Sequence, residues 1–250
     1  MDVFLQAESL SKSFGGLHAV SELDFAVDQG EIVGTIGPNG AGKTTLFNLL
    51  TGFLQPTTGE ATFKGESIIG KKPNQIVDLG ISRTFQIVRP FSNMTVLENI
   101  MVPLQSPKNR RVNKNRMENQ RRAAVLLEQV GLADKMLLLA ADLSHGDLKR
   151  LEVARSLAAT PDLLLLDEPF SGLATKEIAA LSDLIKSLND DGLTIIIIEH
   201  KLRELMKLVK RVITLNFGVK IADGTPEDIA RNEAVIEAYL GKGGERFVTS

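Results

Sequence analysis

The chain has 250 residues, 43% of them hydrophobic and 24% charged, which supplies a core for one large or two small domains. A formal charge of -2 and the absence of cysteine exclude a generally basic nucleic-acid-coating protein and a disulfide framework. The longest aliphatic runs, Leu163–Leu166 and Ile195–Ile198, fall far short of the roughly 20 apolar residues of a membrane helix, and the start "MDVFLQAESLSKSF" lacks the pattern of a secretory signal, so a cytosolic location is expected.

The first third reads as strands. "LDFAV" (23–27) and, more weakly, "EATFKG" (60–65) alternate apolar and polar residues near glycine turns, which suits antiparallel strands with one solvated face. "EIVGTI" (31–36) is apolar nearly throughout and reads as a strand buried on both faces. "KTTLFNLLTG" (43–52) follows as a helix closed by Gly52. From about Met94 to Ala159 strand signals vanish, and "TVLENIMVPL", "AAVLLEQVG" and "LKRLEVARSLA" carry helical spacing. Then "DLLLLDEP" (162–169), an amphipathic helix with Ile178, Leu181, Leu184, Ile185 and Leu188 on one face, and "LTIIIIEH" (193–200) read as strand, helix, strand of a parallel βαβ unit. "RVITLN", the turn "FG" and "VKIADG" form a terminal hairpin, and Thr225 caps a helix with Pro226 in its first turn. The tail 242–250 is expected to be mobile.

The stretch "GPNGAGKTT", Gly37–Thr45, carries the first chemistry. It contains the pattern Gly-x4-Gly-Lys-Thr between a buried strand and a helix. Gly37, Gly40 and Gly42, with Pro38, Asn39 and Ala41 between them, turn backbone N–H groups toward an anion, and the helix start adds its positive dipole end. Lys43 brings a full charge to the outer phosphates, Thr44 brings a hydroxyl for Mg²⁺, and Thr45 completes the helix start. A plain strand-to-helix turn leaves unexplained a lysine at a helix N-terminus, where a cation is disfavoured unless an anion meets it.

Two further strand ends carry polar groups. Asp167 and Glu168 close "LLLLDEP", and ligands in open α/β sheets bind beyond the carboxyl ends of strands. Asp167 is expected to hold hydrated Mg²⁺ and Glu168 to polarise the attacking water as general base. His200, just past "IIIIE", is read as a γ-phosphate sensor that also orients the water.

These elements resemble the ATP-binding subunit of an ABC transporter over residues from about Val3 to Gly241, and the resemblance assigns the remaining motifs. Gln86 in "RTFQIVRPF" matches the glutamine loop, implying contact with Mg²⁺ and the attacking water. "LSHGDLKRLEVARSLA" matches the signature motif and its helix, so that Leu143, Ser144, His145, Gly146 and Asp147 would act on ATP held by a second subunit. Phe14 in "KSFGG" falls where an aromatic stacks on adenine, with Ala19 packed beside it. The implied fold is an α/β phosphate-loop NTPase (RecA-like) core, residues 3–88 and 160–241, with an antiparallel β layer and an inserted α-helical subdomain, about 89–159. The implied ligands are ATP and Mg²⁺. The implied partners are an identical or homologous ATPase subunit paired head to tail and transmembrane permease subunits, with no nucleic acid, at the cytoplasmic face of the membrane. "GISRTFQ", "RPFSNMTVLENI" and "DGTPEDIARNEAVIEAYLG" are similar to subunits of branched-chain amino acid importers.

The chain departs from the family pattern twice. "LSHGD" stands where "LSGGQ" is common, putting His145 and Asp147 in place of Gly and Gln, and Ala174 stands where many relatives have Asp or Asn. Both departures bear on pairing. The basic run Lys108–Arg122 reads as a solvated helix face or loop, with contact to an anionic leaflet as the alternative, and Phe91 and Met94 are candidates for a groove that receives a permease helix, with burial in the chain's own core as the competing account. A soluble ABC ATPase acting on DNA or the ribosome and a non-catalytic nucleotide-binding regulator are the rival readings.

Overall fold

The structure is a computed structural model that describes residues 3–86, 89–106 and 115–240. Residues 108–114 of the basic run, Val88 and the tail 242–250 lie outside the described residues. In chain order the strands are β1 (Leu5–Phe14), β2 (Leu17–Val27), β3 (Ile32–Ile36), β4 (Thr58–Phe63), β5 (Glu66–Ser67), β6 (Ile81–Arg83), β7 (Leu163–Asp167), β8 (Thr194–Ile198), β9 (Arg211–Asn216) and β10 (Val219–Gly224). The helices are α1 (Lys43–Leu50), α2 (Pro73–Leu79), α3 (Val96–Leu104), α4 (Arg116–Gln129), α5 (His145–Leu157), α6 (Thr175–Asp190), α7 (Leu202–Leu208), α8 (Pro226–Arg231) and α9 (Glu233–Leu240). The chain divides into two units, Met1–Ile76 with Thr194–Ser250, and Val77–Leu193.

The first unit holds an antiparallel sheet in the order β2-β1-β4-β5 and a parallel set in which β3 lies between β8 and β9, with β10 antiparallel to β9. All five residues of β3 and all five of β8 are buried, as their unbroken apolar runs require of strands covered on both faces. Gly34 in β3 lets α7 approach: a Cβ there would stand 3.0 Å from a Leu205 methyl carbon. α1 buries Leu46, Phe47, Leu49 and Leu50, and the complete burial of Phe47 stabilises the unit by about 1.5–3 kcal/mol relative to exposure. The chain leaves α1 through Thr51 and a left-handed Gly52 at φ +72°, the ending expected from the sequence. Thr225 caps α8, its hydroxyl accepting from the Asp228 N–H at 3.2 Å while the Asp228 carboxylate accepts from the Thr225 N–H.

In the second unit β6 pairs in parallel with β7, Ile81 opposite Leu163 and Arg83 opposite Leu165. The region expected to be helical contains α3, α4 and α5, and among its described residues the one strand-like feature is an isolated bridge between Thr95 and Leu139. Thr95 caps α3 in a reciprocal box with Glu98. Of the predicted apolar face of α6, Ile178, Leu181, Ile185 and Leu188 are buried, whereas Leu184 is half-buried at the edge of the stripe. Arg116, Arg121 and Arg122 of the basic run belong to α4.

Candidate functional site

In the first unit, β3 ends at Ile36 opposite Thr214 of β9, and its neighbour β8 ends at Ile198, opposite Thr35. The phosphate-loop residues and His200 therefore leave adjacent parallel strands at the same carboxyl edge. Gly37 and Gly42 need glycine: their φ values are +148° and +103°, and a Cβ would meet the Leu215 carbonyl oxygen at 2.1 Å and that of Ala19 at 2.4 Å, respectively. The Gly218 N–H donates to the Ala41 carbonyl at 3.0 Å, so β2 at Ala19 and the hairpin turn at Gly218 clamp the loop from outside. The amides of Asn39, Gly40 and Gly42 have no protein acceptor among the described residues. Lys43, only 6% exposed, folds back so that Nζ donates to the carbonyls of Gly37 at 2.6 Å and Pro38 at 3.0 Å. Thr44 is exposed at the start of α1, beside the half-buried Thr45. Available amides, a helix start without an acidic residue and a cation resting on neutral carbonyls together form a cradle that fits a polyphosphate.

Phe14 is half exposed at the end of β1, with Lys12 Nζ 5.1 Å from its ring centroid. The ring is outside the core and accessible from solvent. Ala19 is half-buried. The His200 side chain is exposed, and its backbone is fixed by Glu199, a buried acid that sequence reasoning passed over; Glu199 Oε2 accepts from the N–H groups of His200 at 2.8 Å and Lys201 at 2.9 Å.

In the second unit, Asp167 is buried and Glu168 follows in a left-handed conformation at φ +49°. A non-glycine residue there carries about 1–3 kcal/mol of strain, a state that clusters at functional sites. Gln86 Nε2 donates to Glu168 Oε2 at 2.9 Å. Two cations missed in the sequence reading support this pair of acids. Arg83 Nη2 meets Asp167 Oδ2 at 2.6 Å with both side chains buried, and Lys149, 3% exposed on α5, donates to the backbone carbonyls of Gln86 at 3.2 Å and Glu168 at 3.4 Å. The only sequence signal for either was a lysine or arginine inside an otherwise matched motif.

The signature residues cap and begin α5. Leu143 and Gly146 are buried, and Ser144 and His145 are exposed. The Ser144 hydroxyl accepts from the Asp147 N–H at 3.2 Å and donates to Asp147 Oδ2 at 2.7 Å. Lys135 Nζ reaches the same oxygen at 2.6 Å. Burial pushes the Asp147 carboxyl up, but the bonds from Lys135 and Ser144 outweigh it and hold it below its ordinary value of 3.8. The replacement of Gln by Asp therefore comes with its own counter-ion. His145 Nε2 lies 3.1 Å from the Ser171 carbonyl, tying the signature to the loop before α6. Ala174 stands at the N-cap of α6 without a side-chain bond; its N–H donates to Glu177 Oε2 at 2.9 Å.

Among the described residues, no group of three or more His, Cys, Asp or Glu side chains forms a self-contained metal site. Thr44 in the first unit, and Gln86 and Asp167 in the second, each carry an oxygen of the hard type that suits Mg²⁺. No helix of the described residues is long and apolar enough to cross a membrane.

A glycine cradle with its lysine in the first unit, and an Asp-Glu pair with a glutamine and a serine-capped helix in the second, define a phosphate-loop ATPase of the ATP-binding-cassette class. Residues 20–171 match the ABC transporter family, and residues 219–245 match the family described as branched-chain amino acid ATP-binding cassette transporter. The chain belongs to the ABC transporter family. It is 42% identical over 252 residues, 95% of this chain and 98% of the relative, to the high-affinity branched-chain amino acid transport ATP-binding protein LivG of Salmonella typhimurium. It is 40% identical, with the same coverage, to BraF of Pseudomonas aeruginosa, which carries the same description. Among solved structures, a nucleotide-free ATP-binding cassette from an ABC transporter matches with a TM-score of 0.88 at 30% identity, covering 96% of this chain and 100% of the other. A dimeric bacterial ABC transporter cassette matches with a TM-score of 0.80 at 25% identity, covering 89% and 98%. The α/β phosphate-loop fold expected from the sequence is thereby established.

Proposed function

We propose that this chain hydrolyses ATP at the cytoplasmic face of the membrane to drive branched-chain amino acids through a separate permease, as one of two ATPase subunits paired head to tail. The observation that carries this reading is the likeness to LivG over nearly the full length of both chains, 42% identity across 98% of the relative. The match at residues 219–245 supports it from outside the shared ATPase motifs. The rival readings, a nucleic-acid or ribosome ATPase and a non-catalytic regulator, are not favoured by relatives described as transport proteins.

In this reading the cassette spans residues 3–241. Lys43, the amides of Asn39, Gly40 and Gly42 and the start of α1 with Thr44 and Thr45 bind the triphosphate within the loop Gly37–Thr45, and Phe14 stacks on adenine beside Ala19. Thr44, Gln86 and Asp167 would hold Mg²⁺, which offsets phosphate charge when bound. Glu168 accepts a proton from the attacking water. Its bond to Gln86 orients the carboxylate, and His200 contacts the γ-phosphate. Leu143 to Asp147 engage the nucleotide of the partner subunit, with the Ser144 hydroxyl and the start of α5 as donors.

A groove of about 880 Å³ in the second unit, lined by Met94, Leu97, Met101, Val102 and Leu137 among others, supports permease docking there. Met94 lines it. Phe91 does not; it is half exposed under the Arg155 guanidinium, 5.0 Å away.

Uptake of leucine, isoleucine and valine, measured in cells whose only copy of this chain carries Glu168→Gln, tests the proposal. Loss of all three with uptake of an unrelated solute unchanged is expected. Normal branched-chain uptake would overturn the substrate class.

A further inference from the structure

The hydroxyl of Tyr239, in the last turns of α9, accepts a hydrogen bond from the Gly37 N–H at 2.6 Å. The two residues are 202 positions apart in the chain, and nothing in the phosphate-loop pattern calls for a tyrosine. Gly37 is buried, so this hydroxyl supplies the acceptor that its N–H needs. The other side of the residue is held by the loop lysine, since the Gly37 carbonyl accepts from Lys43 Nζ at 2.6 Å. Gly37 is pinned at both polar groups. Only glycine fits there, because the Leu215 carbonyl occupies the direction a Cβ would take.

Tyr239 is itself held in place. Asn232 caps α9, its side chain accepting from the Val235 N–H at 3.2 Å, and Val235 is buried. Burial pushes the Tyr239 phenol up to about 12, with the Gly37 bond pulling the other way, so the hydroxyl stays neutral through the working pH range.

We infer that Tyr239 is a positioning residue of the nucleotide site: the C-terminal helix sets the conformation of the phosphate loop through the Gly37 amide and responds when the loop fills. This rests on the ATP-binding reading of the loop. An entering phosphate draws Lys43 Nζ away from the Gly37 carbonyl, which releases one of the two restraints and changes the hydrogen bond at the other.

The chain contains one tyrosine and no tryptophan, so its intrinsic tyrosine emission reports Tyr239 alone. The experiment uses the full chain. Saturating MgADP is expected to change the tyrosine emission of the wild type and to leave that of Lys43→Ala unchanged. Tyr239→Phe, which keeps the ring and removes the acceptor, is expected to raise the KM for MgATP and the Kd for MgADP by about 3–10-fold, the worth of one hydrogen bond, with kcat within about twofold. A residue that merely packs the helix would lower thermal stability without this split. If the wild type binds no nucleotide by calorimetry, the phosphate-loop reading itself fails. If it binds normally and either its emission is indifferent to MgADP or Tyr239→Phe retains wild-type KM, the inference about Tyr239 is overturned while the loop reading stands.

Discussion

Gln86 and Glu168, 82 positions apart, are joined by a bond of 2.9 Å from the amide nitrogen of one to a carboxylate oxygen of the other. The glutamine thereby holds the proposed base in one rotamer, and it does so in a residue whose backbone is already in a left-handed conformation. Glu168→Gln keeps the size of the side chain but removes its ability to take a proton. ATP should bind normally while hydrolysis slows by about 10²–10⁴, or roughly 3–5 kcal/mol of barrier. The slowed protein should accumulate as an ATP-bound dimer, alone or with a second ATPase subunit, and as a monomer with ADP. Sedimentation showing monomers in every mixture, despite saturated ATP sites, would count against the two-subunit mechanism.

Lys149 offers a way to disturb the same pair without touching either side chain. Its ammonium binds the carbonyls of Gln86 and Glu168 from the helix that the signature begins. Lys149→Met is close in length and apolar, so the fold should lose no more than about 1–2 kcal/mol, because relief from burying a cation offsets the lost hydrogen bonds. The kcat should fall about tenfold with KM for MgATP unchanged. Steady-state kinetics alongside urea unfolding checks this, and an unaltered kcat in a folded variant would rule out a role in turnover.

Phe14 is half exposed, so its ring contributes little to the core. Phe14→Ala should leave stability within about 0.5 kcal/mol and weaken ATP and ADP alike by about 1–3 kcal/mol, the usual worth of stacking on a base. Equal ADP affinity in mutant and wild type, measured by titration calorimetry, would exclude stacking.

Asp147 depends on Lys135. Lys135→Ala leaves an unpaired, mostly buried carboxylate beside Ser144 and should cost about 1–2 kcal/mol, a value held down by the partial exposure of the lysine. It should also weaken ATP-dependent pairing. Adding Asp147→Gln should restore both, since the neutral amide needs no counter-ion. The pH dependence follows from a carboxyl held below 3.8 in the fold. The unfolded chain binds the proton first as pH falls, so the stabilisation is fully present well above 3.8 and drains away as pH drops through the depressed folded value. Unfolding free energies of wild type and Asp147→Asn, followed against pH, should converge there; parallel curves would show that the pair contributes nothing.

Much of the site was legible because phosphate binding is local chemistry. Gly37 to Thr45 are consecutive, so the strand, the glycine turn and the helix start could be read together, as could Asp167 and Glu168 behind an apolar run. The helix cap at Thr225 was also sequence-local, whereas the caps at Thr95 and Ser144 were not read from the sequence. The short strand β6 was not read as a strand, since Ile81–Arg83 has no alternation long enough to register and forms only against β7.

The sequence by itself determined the class of protein, the loop proposed to take the phosphates and the acids that follow a buried strand, because each depends on residues close together in the chain. Only the tertiary structure decided what holds them. Arg83 reaches Asp167 across 84 positions, Lys149 reaches Gln86 across 63, and Tyr239 reaches Gly37 across 202. A hydrogen bond depends on distance in space, and nothing in the spacing of residues along a chain reports which distant side chain the fold will bring to a given carbonyl or amide.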